Sequence, residues 1–489
     1  MLAAAAAAVG LPLTVFGSVT ALLRIMEQSI GLAPPTEAML ATEDREKHAL
    51  FRYFPAVAQN LAWRQLGEFP TPVHRATATT TRRSSVGDRE IRFQVKREDL
   101  SSALYGGQKV RTLQHQLAVC ESRLAAAPLG SAERRRMSSI GVLGTSGSNQ
   151  IVATAVHASQ RLPKVSAIWA THDEPDLDNT LNMLSTLSLS NIKSYATGLQ
   201  AILSLLAFAI RGVVVPLGGN NPAGALGHAS AALELAAQIE AGEADGTDAI
   251  YLAVGSSCTI SGLIVGVALS RRLGQEAFRS PNFRIHGVII HHIFAAAQRH
   301  LHMHQRLTFL PLTIGHTVRE ACSALHAVGG PDVTEEALHV FREAVELHTD
   351  PGLVGTYGAH SDQSRAAARS FDAHGHVAAR DGQPASKGLW LCGHFVAKAY
   401  AQMEADLLAD PALRATLWQT KSATQPRGRE DEWAKLLGMD AATQRWASEG
   451  ASESTLRPGA VNVATGSPED YRGLMTEIDV GAGLPDPEA

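Results

Sequence analysis

Lys109 lies within the string Tyr105-Gly106-Gly107-Gln108-Lys109-Val110-Arg111, where two glycines permit a tight turn after Lys96-Arg97-Glu98-Asp99. A lysine held by a turn, rather than on a solvated helix face, is a candidate Schiff-base amine. Surroundings that disfavour the ammonium form make such an amine nucleophilic. Arg111 lowers the amine's pKa if it faces Lys109; on sequence alone it serves equally as a solvent-facing charge. Three further turns are rich in small polar residues, at 144–149, 218–224 and 255–259. In the last, Gly255 lets the chain bend and Ser256, Ser257 and Thr259 offer hydroxyls. Backbone N–H groups at a following helix start would make it an anion cradle. Ser148 and Asn149 offer a hydroxyl and an amide at the mouth of the same sheet, suited to a substrate carboxylate or proton and to an aromatic hydroxyl. Capping of helix starts explains the same residues without chemistry.

The elements that carry these turns read as alternating strands and helices. Strands are expected at 91–95, 139–143, 165–170, 213–217, 249–254 and 285–291. A helix is expected from Lys109 to Ala125, with Val110, Leu113, Leu117 and Cys120 on one face at helical spacing. Residues 124–139 read as a loop, and Phe69-Pro70-Thr71-Pro72-Val73 as an entry segment. Such alternation points to an α/β fold with mostly parallel sheets, whose ligands sit at the carboxyl ends of the strands. From about 405 the rhythm is lost; one helix (430–447) is expected before a Gly/Ser/Pro-rich tail.

The 489 residues suffice for two lobes, and 45% hydrophobic content suffices for sizeable cores. Lys+Arg 43 against Asp+Glu 47 leaves a net charge of -4, so no nucleic-acid partner is expected. The four cysteines are widely spaced with no CxxC pair, which argues against a disulfide framework or a zinc site. Cys258 reads as a small space-filling residue, since no base is arranged beside it. His300, His302 and His304, with the adjacent His291 and His292, read as polar helix surface, and no metal is expected. Met1 to Leu23 is uncharged and approaches the roughly 20 residues that span a bilayer. Gly10, Pro12, Gly17 and the alanine run oppose a stable span. An anchor or targeting segment and an Ala-rich leader both fit, so membrane contact is expected only through 1–23.

The strings Val95-Lys96-Arg97-Glu98-Asp99-Leu100 and Tyr105 to Arg111 resemble those of the family containing 1-aminocyclopropane-1-carboxylate deaminase and D-cysteine desulfhydrase. Phe69-Pro70-Thr71-Pro72, Ser148-Asn149, Leu217 to Gly227 and Gly255 to Leu263 follow in the same order. Asp350-Pro351 and Ala399-Tyr400 are weaker matches. The resemblance covers about 68–403. It implies the two-lobed tryptophan-synthase-β-like fold (fold type II), with pyridoxal 5'-phosphate as cofactor. Lys109 would form the Schiff base and move protons, and Ser148 would act near the substrate. Asn149 would contact the cofactor's ring hydroxyl, and the turn Gly255, Ser256, Ser257, Cys258 and Thr259 would hold its phosphate. A small amino acid as substrate, a 2-oxo acid and ammonia as products, and a homodimer are also implied. The organisation expected is an extension at 1–67, a catalytic domain at 68–403 with its smaller lobe roughly at 100–215, and a partly disordered extension at 404–489. The catalytic domain is expected to be soluble and intracellular.

Departures from the family pattern shape the expected activity. Gln108 replaces an asparagine, Gln150 a histidine, and Ser257 and Cys258 two glycines. Val354 stands where the deaminases carry a glutamate, and a glycine-rich segment is reduced to Leu391-Cys392-Gly393-His394. Valine cannot hydrogen-bond a ring nitrogen, so the resemblance favours D-cysteine desulfhydrase-like chemistry over cyclopropane ring opening. A silent cofactor binder on the same fold is the remaining alternative.

Overall fold

The computed structural model describes residues 30–80, 89–158, 162, 164–171, 174–189, 191–194, 207–290, 310–355, 359–378, 388–450, 457 and 467–479. Residues 1–23, the histidines at 291, 292, 300, 302 and 304, and most of the C-terminal tail lie outside these. No described helix is long and apolar enough to cross a membrane.

Two sheets organise the chain, a mixed α/β architecture with mostly parallel strands flanked by helices. The smaller sheet holds β3 (Ser139–Thr145), β4 (Lys164–Thr171), β5 (Asn191–Ser194) and β6 (Val213–Val215) in the order β5-β4-β3-β6, all parallel. The larger sheet runs β10-β1-β2-β11-β7-β8-β9. Its strands are β1 (Val73–Thr80), β2 (Arg89–Lys96), β7 (Ala249–Val254), β8 (Arg284–Ile289), β9 (Val345–His348), β10 (Gly375–Ala378) and β11 (Ala415–Trp418). Pairing is antiparallel from β10 through β1 to β2 and parallel from β2 to β9. Every residue of β7 is buried, as a run of apolar residues covered on both faces requires.

Eight helices position the site: α1 (Lys109–Ala126), α2 (Asn149–Ala158), α3 (Leu177–Leu189), α4 (Pro222–Glu240), α5 (Cys258–Arg272), α6 (Leu310–Ala327), α7 (Asp362–His374) and α8 (Val396–Ala409). Val110, Leu113, Leu117 and Cys120 of α1 are buried, as is its polar side at Gln114, His115 and Gln116. Helices α4 and α5 meet at backbone distance: a Cβ on Gly262 would fall 2.3 Å from the Ala225 carbonyl oxygen. One apolar core lies between these helices and the larger sheet, another between that sheet's opposite face and α7 and α8.

Three details differ from the sequence reading. A short helix at Ala132–Met137, capped by the Ser131 hydroxyl, interrupts the loop expected at 124–139. The helix expected at 430–447 is two, Glu432–Leu437 and Ala441–Gly450, because the first ends at Gly438. Beyond 403, β11 inserts between β2 and β7 in the middle of the larger sheet, and Trp446 and Tyr471 are buried in the core of the smaller lobe. A four-residue strand, buried on both faces, has no alternation by which to announce itself.

Candidate active site

The turn bearing Lys109 is fixed from both sides. Gly107 N–H donates to Glu98 O at 2.8 Å and to Ser101 Oγ at 3.1 Å, and Gln108 N–H donates to Thr420 O at 3.1 Å. The left-handed φ of 100° at Gly107 is where glycine is favoured. This turn delivers the Lys109 amine to the Gly218 carbonyl at 2.9 Å. Burial holds the amine below the ordinary lysine value, with Cys258 opposing the shift. The Arg111 guanidinium is engaged in a buried network with Glu98 and Glu234 (2.8 Å to each), and Lys96 also donates to Glu234.

The turn at 255–259 opens α5, fifteen residues long and starting without a side-chain cap. Ser257 holds φ at 72°, and the side chains around the bend are committed elsewhere. Ser256 Oγ donates to Gly218 O at 3.3 Å, and Ser257 Oγ lies 3.0 Å from Thr313 Oγ1. Cys258 is buried with its thiol on Gly219 O at 3.7 Å, and burial pushes that thiol's pKa up. The side chains of the two residues that replace glycines are therefore engaged in contacts of their own. Thr259 Oγ1 donates to Gln108 Oε1 at 2.7 Å, so the longer amide of Gln108 reaches across to this turn.

Ser148 immediately precedes α2, and its carbonyl accepts from Ile151 and Val152 N–H. Asn149 Oδ1 accepts from Tyr105 Oη at 3.0 Å and Asn182 Nδ2 at 2.9 Å. Two donors on the oxygen orient the amide, leaving its NH2 as the end that donates. Gln150 is buried; its Nε2 donates to Thr154 Oγ1 at 3.2 Å, and its Oε1 has no hydrogen-bond partner. That oxygen faces Gly219, where a Cβ would fall 3.0 Å away.

These residues fit pyridoxal phosphate. An uncapped helix start offers N–H donors to a dianion, and Gly218 and Gly219, with φ of 62° and 71°, let the facing segment approach it closely. A Cβ on Gly218 would lie 2.3 Å from Ser256 Cβ and 3.6 Å from Lys109 Nζ. The structure thus brings Lys109, Ser256 and Gly218 together directly and ties Thr259 to them through Gln108; Asn149 is held in a separate contact with Tyr105 and Asn182. Sequence reasoning passed over Tyr105 and Asn182. Tyr105 lies inside a string already singled out, whereas nothing near Asn182 distinguishes it from other polar positions on α3.

A second ionisable cluster involves Leu391-Cys392-Gly393-His394. His394 Nε2 pairs with Asp176, and its Nδ1 lies 3.5 Å from Cys392 Sγ. Burial opposes charge on this imidazole, but Asp176 and then Cys392 outweigh it and raise the pKa to about 10. Val354 is buried, and its carbonyl, with that of Ala359, accepts from Lys398 Nζ. Burial lowers the Lys398 amine to about 8.

A model of the pyridoxal-phosphate dependent enzyme family matches residues 64–377. Nocardicin C-9' epimerase of Nocardia uniformis subsp. tsuyamanensis is 30% identical over 189 residues, covering 37% of this chain and 54% of the relative. D-cysteine desulfhydrase of Salmonella paratyphi A is 30% identical over 209 residues, covering 40% and 58%. The chain thus spans little more than half the length of these curated relatives. A crystal structure of an ACC deaminase homologue superposes with a TM-score of 0.50 at 18% identity, covering 81% of this chain and 99% of that one, a likeness of fold.

Proposed function

The chain belongs to the pyridoxal-phosphate dependent enzymes, and from that premise we propose that it is a lyase acting on a small amino acid, with D-cysteine converted to pyruvate, sulfide and ammonia. The observation that carries this reading is the buried Lys109 amine, held below its ordinary pKa beside the turn that opens α5. When bound, the cofactor withdraws electrons from the substrate's α-carbon.

Each residue's part follows from its chemistry. Lys109 would hold the cofactor through Nζ, and its free amine would take the α-proton, which a lowered pKa favours near neutrality. The backbone N–H groups of Ser257, Cys258 and Thr259 would hold the phosphate. The Asn149 NH2 would donate to the ring oxygen, its orientation held by Tyr105 and Asn182. Ser148, at the start of α2, offers its hydroxyl and the helix's positive end to the substrate carboxylate. Val354 supplies no side-chain partner to a ring nitrogen, which disfavours cyclopropane ring opening.

The test is visible absorption of the purified chain with added pyridoxal phosphate, followed by product assays. A cofactor band that is lost in Lys109→Ala is expected, with pyruvate and sulfide released from D-cysteine. Absence of the band in the wild-type chain sinks the enzyme reading. A band without 2-oxo acid sinks the lyase assignment, and recovery of the opposite enantiomer would then indicate epimerisation. Release of 2-oxobutyrate from 1-aminocyclopropane-1-carboxylate, with none of pyruvate from D-cysteine, reverses the substrate preference.

A further inference from the structure

At the edge of the larger sheet, two imidazoles turn ring nitrogens toward each other. His286 Nδ1 and His348 Nε2 lie 2.9 Å apart, and Glu346 Oε2 stands 3.7 Å from the same His286 nitrogen. One nitrogen or oxygen from each of the three residues falls within 4.8 Å of the others. Their placement is dictated by the sheet. Strands β8 and β9 pair in parallel with His286 opposite Glu346 and Val288 opposite His348, and period-two alternation sets Glu346 and His348 on one face.

We propose that His286, Glu346 and His348 form a binding site for a divalent transition metal, with Zn2+ as its fitting occupant. Tetrahedral zinc with bonds of 2.0–2.1 Å separates neighbouring ligand atoms by about 3.3 Å. The 2.9 and 3.7 Å separations from His286 bracket that value, and Glu346 and His348 lie within 4.8 Å of each other, so rotation of the exposed Glu346 side chain is the adjustment that closes the site. Two imidazoles and a carboxylate leave a fourth position for water. In the metal-free chain one imidazole donates to the other; on binding, the donor ring shifts to its other tautomer and both nitrogens face the ion.

The surroundings suit the role. His286 stacks on Tyr251, with centroids 4.4 Å apart and planes 6° from parallel, so its ring has little freedom to swing away. The Tyr251 hydroxyl in turn donates to Asp406 at 2.8 Å, which places a further negative charge behind the site. Burial holds both imidazoles below the ordinary histidine value, and Glu346 and Asp406 act against it. The Glu346 side chain is 52% exposed, which provides an entry path. Its ion pair with Arg284 at 3.4 Å is surface-exposed and readily displaced.

This site is separate from the Lys109 chemistry. Tyr251 and His286 lie mid-strand on the face covered by α8, whereas the turn at 255–259 follows the carboxyl end of β7. A metal here would clip the edge strand β9 to β8, and β9 is the last strand of that sheet.

The experiment uses the full chain, stripped with chelator and titrated with Co2+ as a spectroscopic stand-in for Zn2+. One equivalent per chain is expected to bind, with the intense visible bands of four-coordinate cobalt, and Zn2+ should displace it. Loss of an outer-shell partner typically weakens a metal by about 10–100-fold. Removal of a ligand in His348→Ala is therefore expected to weaken Co2+ binding by about 100-fold or more. Glu346→Gln alters an exposed side chain and is expected to fold normally while also weakening binding, so it carries the test if the histidine variant misfolds. Absence of saturable binding in the wild-type chain overturns the proposal. Unchanged affinity in Glu346→Gln overturns it too, placing the ion at other histidines.

Discussion

The hydroxyl of Thr259, in the first turn of α5, donates to the side-chain oxygen of Gln108 at 2.7 Å. The residue preceding the candidate Schiff-base lysine is thereby tied to the turn that would hold a phosphate. The amide's extra length is put to use in that contact. Gln108→Asn shortens it by one methylene and breaks the bond, at a cost of about 0.5–1.5 kcal/mol. Affinity for pyridoxal phosphate is expected to fall by roughly 3–10-fold with the fold unchanged, read by titration of the visible cofactor band.

Gly218→Ala tests the space beside the amine. The substitution sets an alanine at φ of 62°, with its Cβ 2.3 Å from that of Ser256. Strain of about 1–3 kcal/mol is expected, together with displacement of Ser256 and of the carbonyl that holds Lys109. Cofactor affinity should drop by more than the loss in unfolding free energy accounts for; equal losses in both count against a role in the site.

Glu234 sits between two buried cations, Lys96 and Arg111. Glu234→Ala removes the carboxylate bonded to Lys96 and leaves Arg111 with Glu98, and is expected to cost about 3–5 kcal/mol in denaturant unfolding. Burial opposes the carboxylate's charge, but Arg111 and then Lys96 overcome it and depress the pKa from 4.5 to about 2. A depressed carboxylate contributes stability that is fully present above pH 4.5 and lost as pH falls through about 2. The gap between wild type and variant should therefore narrow only under strong acid.

His394 gives the opposite sign. Its pKa is raised from 6.5 to about 10, so its pairing with Asp176 stabilises fully below pH 6.5 and fades as pH rises through about 10. The stability difference between wild type and His394→Asn, measured by urea unfolding from pH 6 to 10, is expected to shrink as pH rises. A flat difference assigns His394 a packing role alone.

Much of the α/β rhythm and the turn that carries Lys109 are legible because local chemistry specifies them. Glycines at 106 and 107 permit the turn that presents Lys109. Small polar residues mark strand-to-helix bends, and helical spacing marks the buried face of α1. The loop read at 124–139 hides a helix whose signal, Ser131 with Glu133 in the first turn, is short and local. Strand β11 carries no such signal, since its burial comes from β2 and β7 rather than from its own four residues.

The sequence by itself singled out Lys109 as the candidate amine, because a lysine after a glycine turn is a local statement about one residue. It also determined the kind of fold, through the succession of strand, small-residue turn and helix. Only the tertiary structure decided what surrounds the amine. Arg111 turns inward to Glu98 and Glu234 rather than toward Lys109, Cys258 packs beneath its turn, and Gln108 reaches Thr259. Each outcome depends on partners between thirteen and 151 residues away along the chain. A buried charge or amide must find such a partner in space to offset its lost hydration, and that requirement has no signature in the residue's own neighbourhood.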